Sequence, residues 1–177
     1  LESKHFYLVF FGFSIVVFSP FFLQGYTALA TTDNLYNHYP NLLYGFRALH
    51  DGSFGLWNPL IFAGTDFSSS MHHHMLHPIN WILLLFPEKY IFHALTLILF
   101  FEHALVGVIS FKIFRLYHKD VWAAIFLTIV VQLGGFMWCA ITTFVAVHMM
   151  FASVASIYII LSFEQRRKIT NFFLLSF

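Results

Sequence analysis

The chain has 177 residues, of which 59% are hydrophobic, 21% aromatic and only 10% charged, with a formal net charge of +1 at pH 7. Soluble domains carry about 25% charged residues, so this composition excludes a soluble globular protein and indicates an integral membrane protein. The apolar residues form unbroken runs, which predicts helices rather than the alternating strands of a membrane barrel. The single cysteine, Cys139, excludes an intrachain disulfide and a cysteine-based metal site.

Apolar runs predict an all-α, polytopic helical bundle. The first run, Phe6 to Leu23, is close to the ~20 residues needed to cross a bilayer. It is too long for the apolar core of a signal peptide and no small-residue cleavage site follows, so we interpret it as an uncleaved anchor. Later spans are predicted at about 91–111, 121–141, 146–163 and from 169 onwards. Because the sequence opens at Leu1 and stops inside an apolar run, we expect a single transmembrane domain that is incomplete at its C-terminus.

Charge distribution predicts the orientation of these spans. If the N-terminus is cytoplasmic, seven of the nine Lys and Arg residues lie inside, and only Arg47 and Lys89 lie outside. The positive-inside rule therefore favours a cytoplasmic N-terminus and a multi-pass protein of the cell membrane. It makes residues 31–90 a large extracytoplasmic loop.

This loop carries signals for short interfacial helices. Thr32 or Asp33 is a suitable cap for a helix that begins at Asn34. Pro40 is suited to begin a second helix, which ends near Asp51 and Gly52. The second helix has an apolar face, typical of a helix lying in the membrane interface, formed by Leu42, Leu43, Phe46 and Leu49.

Further along, the loop contains a turn-rich stretch and a short apolar segment. Three glycines and the sequence Trp57-Asn58-Pro59 mark the turns. Ile79–Phe86 lies between two prolines and is too short to span, so a re-entrant or interfacial helix is predicted.

Several polar residues of the loop are candidates for chemistry. Asp33 follows the first span, where a carboxylate can take a proton from a hydroxyl held at the membrane surface, although Asp is also a common helix N-cap. Together with His38, Arg47, Asp51 and Asp66 it could supply a base and a phosphate-binding cation. The alternative is solvated loop charge, with Arg47 and Asp51 forming an i, i+4 pair.

A histidine cluster, His72-His73-His74 and His77, is the most unusual local feature. His73 and His77 have the spacing of a zinc-binding pair on a helix. However, Pro78 favours an extended backbone at His77, and no acidic residue stands at a motif-like spacing. Metal binding, the lining of a lipid head-group site and an incidental interfacial position all stay open, and no metal ligand is assigned.

Ionisable residues also occur inside the spans. Glu102 and His103 lie midway along the second span, where such residues usually face the interior of a bundle. They are either functional or a polar clamp to another helix. His148 is expected near the outer end of a helical hairpin, close to the external loop. Gly134-Gly135 suggests close helix contact or a break. There is no glycine-rich phosphate loop, nucleophile elbow or nucleic-acid-binding motif.

Taken together, Asp33 with LYNHYP, GFRALHDGSFGLWNPLIFAGTDF and a short proline-bounded helix between spans resemble YfhO-type bacterial membrane proteins of the GT-C glycosyltransferase superfamily. The resemblance covers about Phe6 to Arg167. It implies a polyprenyl-phosphate sugar donor, with Asp33 matching the acidic residue of the first external loop. Asn34 stands where many relatives have a second acid, so dependence on a divalent metal is left open and no cofactor is assigned.

The leading hypothesis is a membrane glycosyltransferase that acts on an extracytoplasmic acceptor, which is an envelope polymer, a lipid or a protein. Asp33 would be catalytic. The substrate-binding candidates are His38, Arg47, Trp57, Asn58, Asp66 and Glu102. One alternative is a transporter or flippase of lipid-linked substrates, in which Glu102 and His103 matter most. Another is a non-catalytic assembly subunit, which would tolerate joint substitution of Asp33, Arg47 and Glu102.

Overall fold

The computed structural model describes residues 4–23, 34–52, 56–61, 63–68, 76–134 and 144–166. Most of these residues belong to α-helices: α1 (Lys4–Leu23), α2 (Tyr39–Asp51), α3 (Ile91–Tyr117), α4 (Val121–Leu133) and α5 (Phe144–Arg166). Shorter elements are a π-helical turn (Asn34–His38), two 3₁₀ helices (Pro78–Leu85 and Glu88–Tyr90) and two strands, β1 (Trp57–Asn58) and β2 (Thr65–Asp66). The chain divides into two units, one of Leu1–Ser19, Phe100–Cys139 and Ala146–Phe177, the other of Pro20–Leu99 and Ala140–Val145.

Among the described residues, three segments are long and apolar enough to cross a membrane: Phe6–Leu23, Glu88–Tyr117 and Val145–Glu164. This is the composition and length expected of a helical membrane protein. Helix α3 continues past the predicted end of its span at Phe111 to Tyr117. The extension contains Lys112, whose long aliphatic stem can carry its charge away from the helix axis. The Lys112 ammonium lies over the ring of Tyr158, 5.6 Å from its centroid.

Helix α4 is shorter than the predicted span of residues 121–141. It has 13 residues and ends at Leu133, where Gly134 takes an extended conformation. At about 1.5 Å per residue it covers roughly 20 Å, less than the ~30 Å of a hydrocarbon core. Glycine is a poor helix former, so of the two roles suggested for Gly134-Gly135 the helix break is confirmed at Gly134. Residues 135–143, and the predicted fifth span from residue 169, lie outside the described residues.

The first unit is held together by aromatic and aliphatic packing among α1, α3 and α4. Its core contains Phe10, Phe111, Ala124 and Ile125. The rings of Phe10 and Phe111 lie 5.3 Å apart, a favourable distance for an aromatic pair. A Cβ atom at Gly107 of α3 would overlap the side-chain amide of Gln132, so this glycine permits the close approach of α4.

In the second unit, α2 has the predicted boundaries. A proline stands in its first turn, and Gly52 ends it in the left-handed conformation at φ 63°. The buried face differs from the predicted apolar stripe, because it is formed by Asn41, Leu42, Gly45, Phe46 and Ala48. Leu49 is exposed. The buried face therefore combines two residues of the predicted stripe, Leu42 and Phe46, with small and polar ones.

The turn-rich stretch forms a small antiparallel hairpin, in which Trp57 pairs with Asp66 and Asn58 with Thr65. Gly64 has a φ of 114°, and a Cβ atom there would collide with the Trp57 indole. Only glycine fits this position without strain. After the hairpin, the proline-bounded segment forms the 3₁₀ helix Pro78–Leu85, and His77 before it is extended, as predicted.

Candidate functional site

A cavity of about 450 Å³ lies in the second unit, between α2 and the chain that leads into α3. One wall is apolar and the rim is polar. The lining residues are Phe46, Arg47, His50, Asp51, Leu84, Leu85, Phe86, Pro87, Glu88 and Ile91. Glu88 is the first residue of the membrane-length segment Glu88–Tyr117, so the cavity lies at one end of that segment.

Arg47 and Glu88 form a two-point ion pair at the rim. Arg47 Nε donates to Glu88 Oε2 at 3.1 Å, and Nη2 donates to Oε1 at 2.6 Å. The side chains are 48% and 51% exposed, so the pair is open to solvent and adds less than ~1 kcal/mol to stability. Its fork geometry nevertheless fixes the guanidinium plane.

Neighbouring charges stabilise the cationic form of Arg47. Hydrogen bonding to Glu88 raises the pKa of the Arg47 guanidinium above its ordinary value, and the negative charge of Asp51 acts in the same direction. The alternative to a functional role for Arg47 was an i, i+4 pair with Asp51. The hydrogen-bonded partner is instead Glu88, 41 residues away in the chain.

Tyr39 lies at the start of α2, and its ring stacks on Phe92 with a centroid distance of 3.7 Å. Burial, followed by the charge of Glu88, raises the pKa of the Tyr39 phenol. Both effects favour the neutral phenol over the phenolate.

Two other predicted loop residues, Asn58 and Asp66, form hydrogen bonds within the loop. Asn58 is buried. Its side-chain Nδ2 donates to Asn41 Oδ1 at 2.9 Å, and its side-chain Oδ1 accepts from the Leu60 backbone amide at 2.9 Å. The Asp66 carboxylate accepts from the backbone amide of Ser68 at 3.0 Å.

His38 is half-buried at the end of the π-helical turn, and Trp57 is exposed. The described residues that line the cavity do not include His38, Trp57, Asn58 or Asp66. Asp33, predicted to be catalytic, lies outside the described residues, as do His72, His73 and His74.

The first unit contains a buried, hydrogen-bonded Glu–His pair between two membrane-length helices. His148 Nδ1 of α5 lies 2.5 Å from Glu102 Oε2 of α3, and each side chain is no more than 2% exposed. The other carboxylate oxygen, Oε1, has no hydrogen-bond partner within the described part of the chain. Within this unit the partner of His148 is Glu102, and a buried carboxylate requires a cation or a donor.

His103 takes part in a separate polar cluster. Its Nδ1 lies 2.8 Å from the Ser14 hydroxyl, and its Nε2 lies 3.2 Å from the Gln132 carbonyl oxygen. The Gln132 side chain in turn donates to the carbonyl oxygens of His103 and Phe10. His103 is thus a polar clamp that joins α1, α3 and α4.

Sequence reasoning missed two partners. Glu88 stands directly after Pro87 at the start of a span, where an interfacial charge is common, and this position was its only signal. His148 was noticed, but its pairing with Glu102 was not. Two ionisable residues within apolar spans usually contact each other or a cavity, and this rule would have connected them.

Comparisons with protein-family models, with characterised proteins and with solved structures found no match.

Proposed function

We propose that this protein is a GT-C-like membrane glycosyltransferase, which transfers a sugar from a polyprenyl-phosphate donor to an extracytoplasmic acceptor. The observation that carries the proposal is the cavity beside Arg47. It combines an apolar wall with an ionic rim, and it lies at the start of a membrane-length segment. An amphipathic substrate, with a lipid chain in the bilayer and a polar head group at its surface, requires this combination.

In the proposed reaction Asp33 removes a proton from the acceptor hydroxyl. The acceptor oxygen then forms a bond to the anomeric carbon, while the bond from that carbon to the phosphate oxygen breaks. The electron pair leaves with polyprenyl phosphate, and the proton stays on Asp33. The cavity beside Arg47 holds the head group of the donor so that the two reacting atoms meet.

The test is Asp33→Asn in the full-length protein, reconstituted with a polyprenyl-phosphate sugar. General base catalysis contributes roughly 10²–10⁴-fold, so we expect transfer to fall by at least about 100-fold. The matched control is Glu164→Gln, because Glu164 is exposed on α5. Wild-type transfer by Asp33→Asn would contradict the assigned role.

Orientation can be tested independently of activity. With the single cysteine changed, Cys139→Ser, a cysteine placed at the exposed Leu60 provides one labelling site. We expect a membrane-impermeant thiol reagent to label it in intact cells. Labelling only after the membrane is permeabilised would place residues 31–90 in the cytoplasm and contradict the proposal.

A second candidate function is transport or flipping of a lipid-linked substrate. It is favoured by the buried Glu102–His148 pair, because ionisable groups within membrane spans commonly mark a substrate or proton pathway. In that case the protein moves a fluorescent lipid-linked substrate across liposome membranes without consuming it, and Glu102→Gln stops the movement.

A further inference from the structure

The balance of charge in the cavity beside Arg47 indicates which part of a lipid-linked substrate it accepts. Its ionised lining groups are one guanidinium, Arg47, and two carboxylates, Asp51 and Glu88. By formal charge, with histidine counted as neutral, the lining carries −1. The guanidinium is already held by Glu88 through two hydrogen bonds.

A phosphate is a poor match for this lining. To reach Arg47 with two-point geometry it would have to displace Glu88, and it would then lie near the charges of Glu88 and Asp51. Like charges that share a site repel each other, and this repulsion offsets much of the attraction to a single cation.

A sugar matches the same groups without displacing any of them. Each hydroxyl both donates and accepts, so hydroxyls can donate to Asp51 and Glu88. They can also accept from Nη1 of Arg47, which the Glu88 pair leaves unused within the described residues. Apolar residues, including Phe46 and Phe86, offer a surface for the carbon side of the ring.

We infer that this cavity recognises the neutral, hydroxyl-rich head group of a glycosylated lipid rather than its phosphate. The inference rests on the proposed function and specifies which moiety of the donor this site binds. The volume of about 450 Å³ lies within the ~300–1,000 Å³ typical of small-molecule sites.

The experiment measures binding of three lipids to the full-length protein in nanodiscs. The probes are polyprenyl phosphate, polyprenyl-phosphate hexose and an uncharged monoglucosyl diacylglycerol. We expect Glu88→Gln to weaken binding of both glycosylated lipids by about tenfold, the loss of one hydrogen bond to a charged group. Polyprenyl phosphate binding should not weaken. Asp51→Asn provides a second variant with the same expectation, and Glu164→Gln should change nothing.

Tighter binding of polyprenyl phosphate by Glu88→Gln, without loss of the glycosylated lipids, would identify an anion site and overturn the inference. Equal binding of all three lipids by wild type would also overturn it. A separate transfer assay keeps the two proposals distinct. If binding depends on the sugar but no transfer occurs, only the glycosyltransferase proposal is contradicted. If transfer occurs and its KM is unchanged in Glu88→Gln, only the cavity assignment is contradicted.

Discussion

Removing one partner of the Glu102–His148 pair should destabilise the protein as much as removing both. The two side chains are 2% exposed or less, and the interacting atoms are 2.5 Å apart. Loss of one partner leaves the other polar side chain buried without its hydrogen bond. For buried ion pairs, removing one partner lowers the free energy of unfolding by about 3–5 kcal/mol. We therefore expect Glu102→Leu and His148→Leu each to lower the free energy of unfolding by about 3 kcal/mol.

The double variant removes both polar groups, so its loss should not exceed that of either single variant. The coupling energy of the cycle is then at least about 3 kcal/mol, well above the ~0.6 kcal/mol average for hydrogen bonds between membrane helices. The assay is reversible unfolding of the full-length protein in mixed micelles with rising SDS mole fraction. Glu164→Leu, at an exposed position of α5, should change stability by less than about 0.5 kcal/mol.

A coupling energy below about 1 kcal/mol would refute this reasoning. It would mean that each side chain, once its partner is removed, is satisfied elsewhere. The pairing itself would then have little influence on stability.

Three further substitutions test the packing. Gly107→Ala should cost about 1–3 kcal/mol in the same assay, because the new Cβ displaces the buried Gln132 amide, whereas Gly12→Ala, with nothing within 4 Å, should be neutral or stabilising. Asn58→Ala should cost about 1–3 kcal/mol and increase proteolysis of the loop in intact membranes, because it breaks two hydrogen bonds at a buried side chain; unchanged proteolysis would contradict its role as an anchor. Gly52→Ala should cost about 1–2 kcal/mol, because φ is 63° there, and Gly52→Asn should recover part of the loss; equal stability of the two variants would argue against a backbone effect.

Local signals in the sequence predicted the ends of several elements correctly. The proline and Gly52 that bound α2, and the two prolines around the 3₁₀ helix, act through backbone geometry that depends on few neighbours. The predicted span of residues 121–141 extends beyond α4, which ends at Leu133, because hydropathy was given more weight than the break suggested by Gly134-Gly135. Hydropathy measures the preference for a bilayer and is insensitive to a helix break.

The candidate site was predictable only in part. Arg47 and Glu102 stand out because charges are rare in this chain. Their partners, Glu88 and His148, are 41 and 46 residues away, and pairing over such distances depends on how helices pack. Asn58 was both a substrate-binding candidate and part of a predicted turn, and the structure shows the hydrogen bonds of the turn.

The class of the protein follows from the sequence alone, because unbroken apolar runs of this length are stable only as helices in a bilayer. The positions of caps and turns follow as well, since they depend on single residues with restricted backbones. Tertiary structure alone decided which polar groups meet. Burial of Glu102 requires a polar partner, which the packing of α3 and α5 supplies as His148, whereas Arg47 and Glu88 meet at a solvent-exposed rim because the folded loop brings them together.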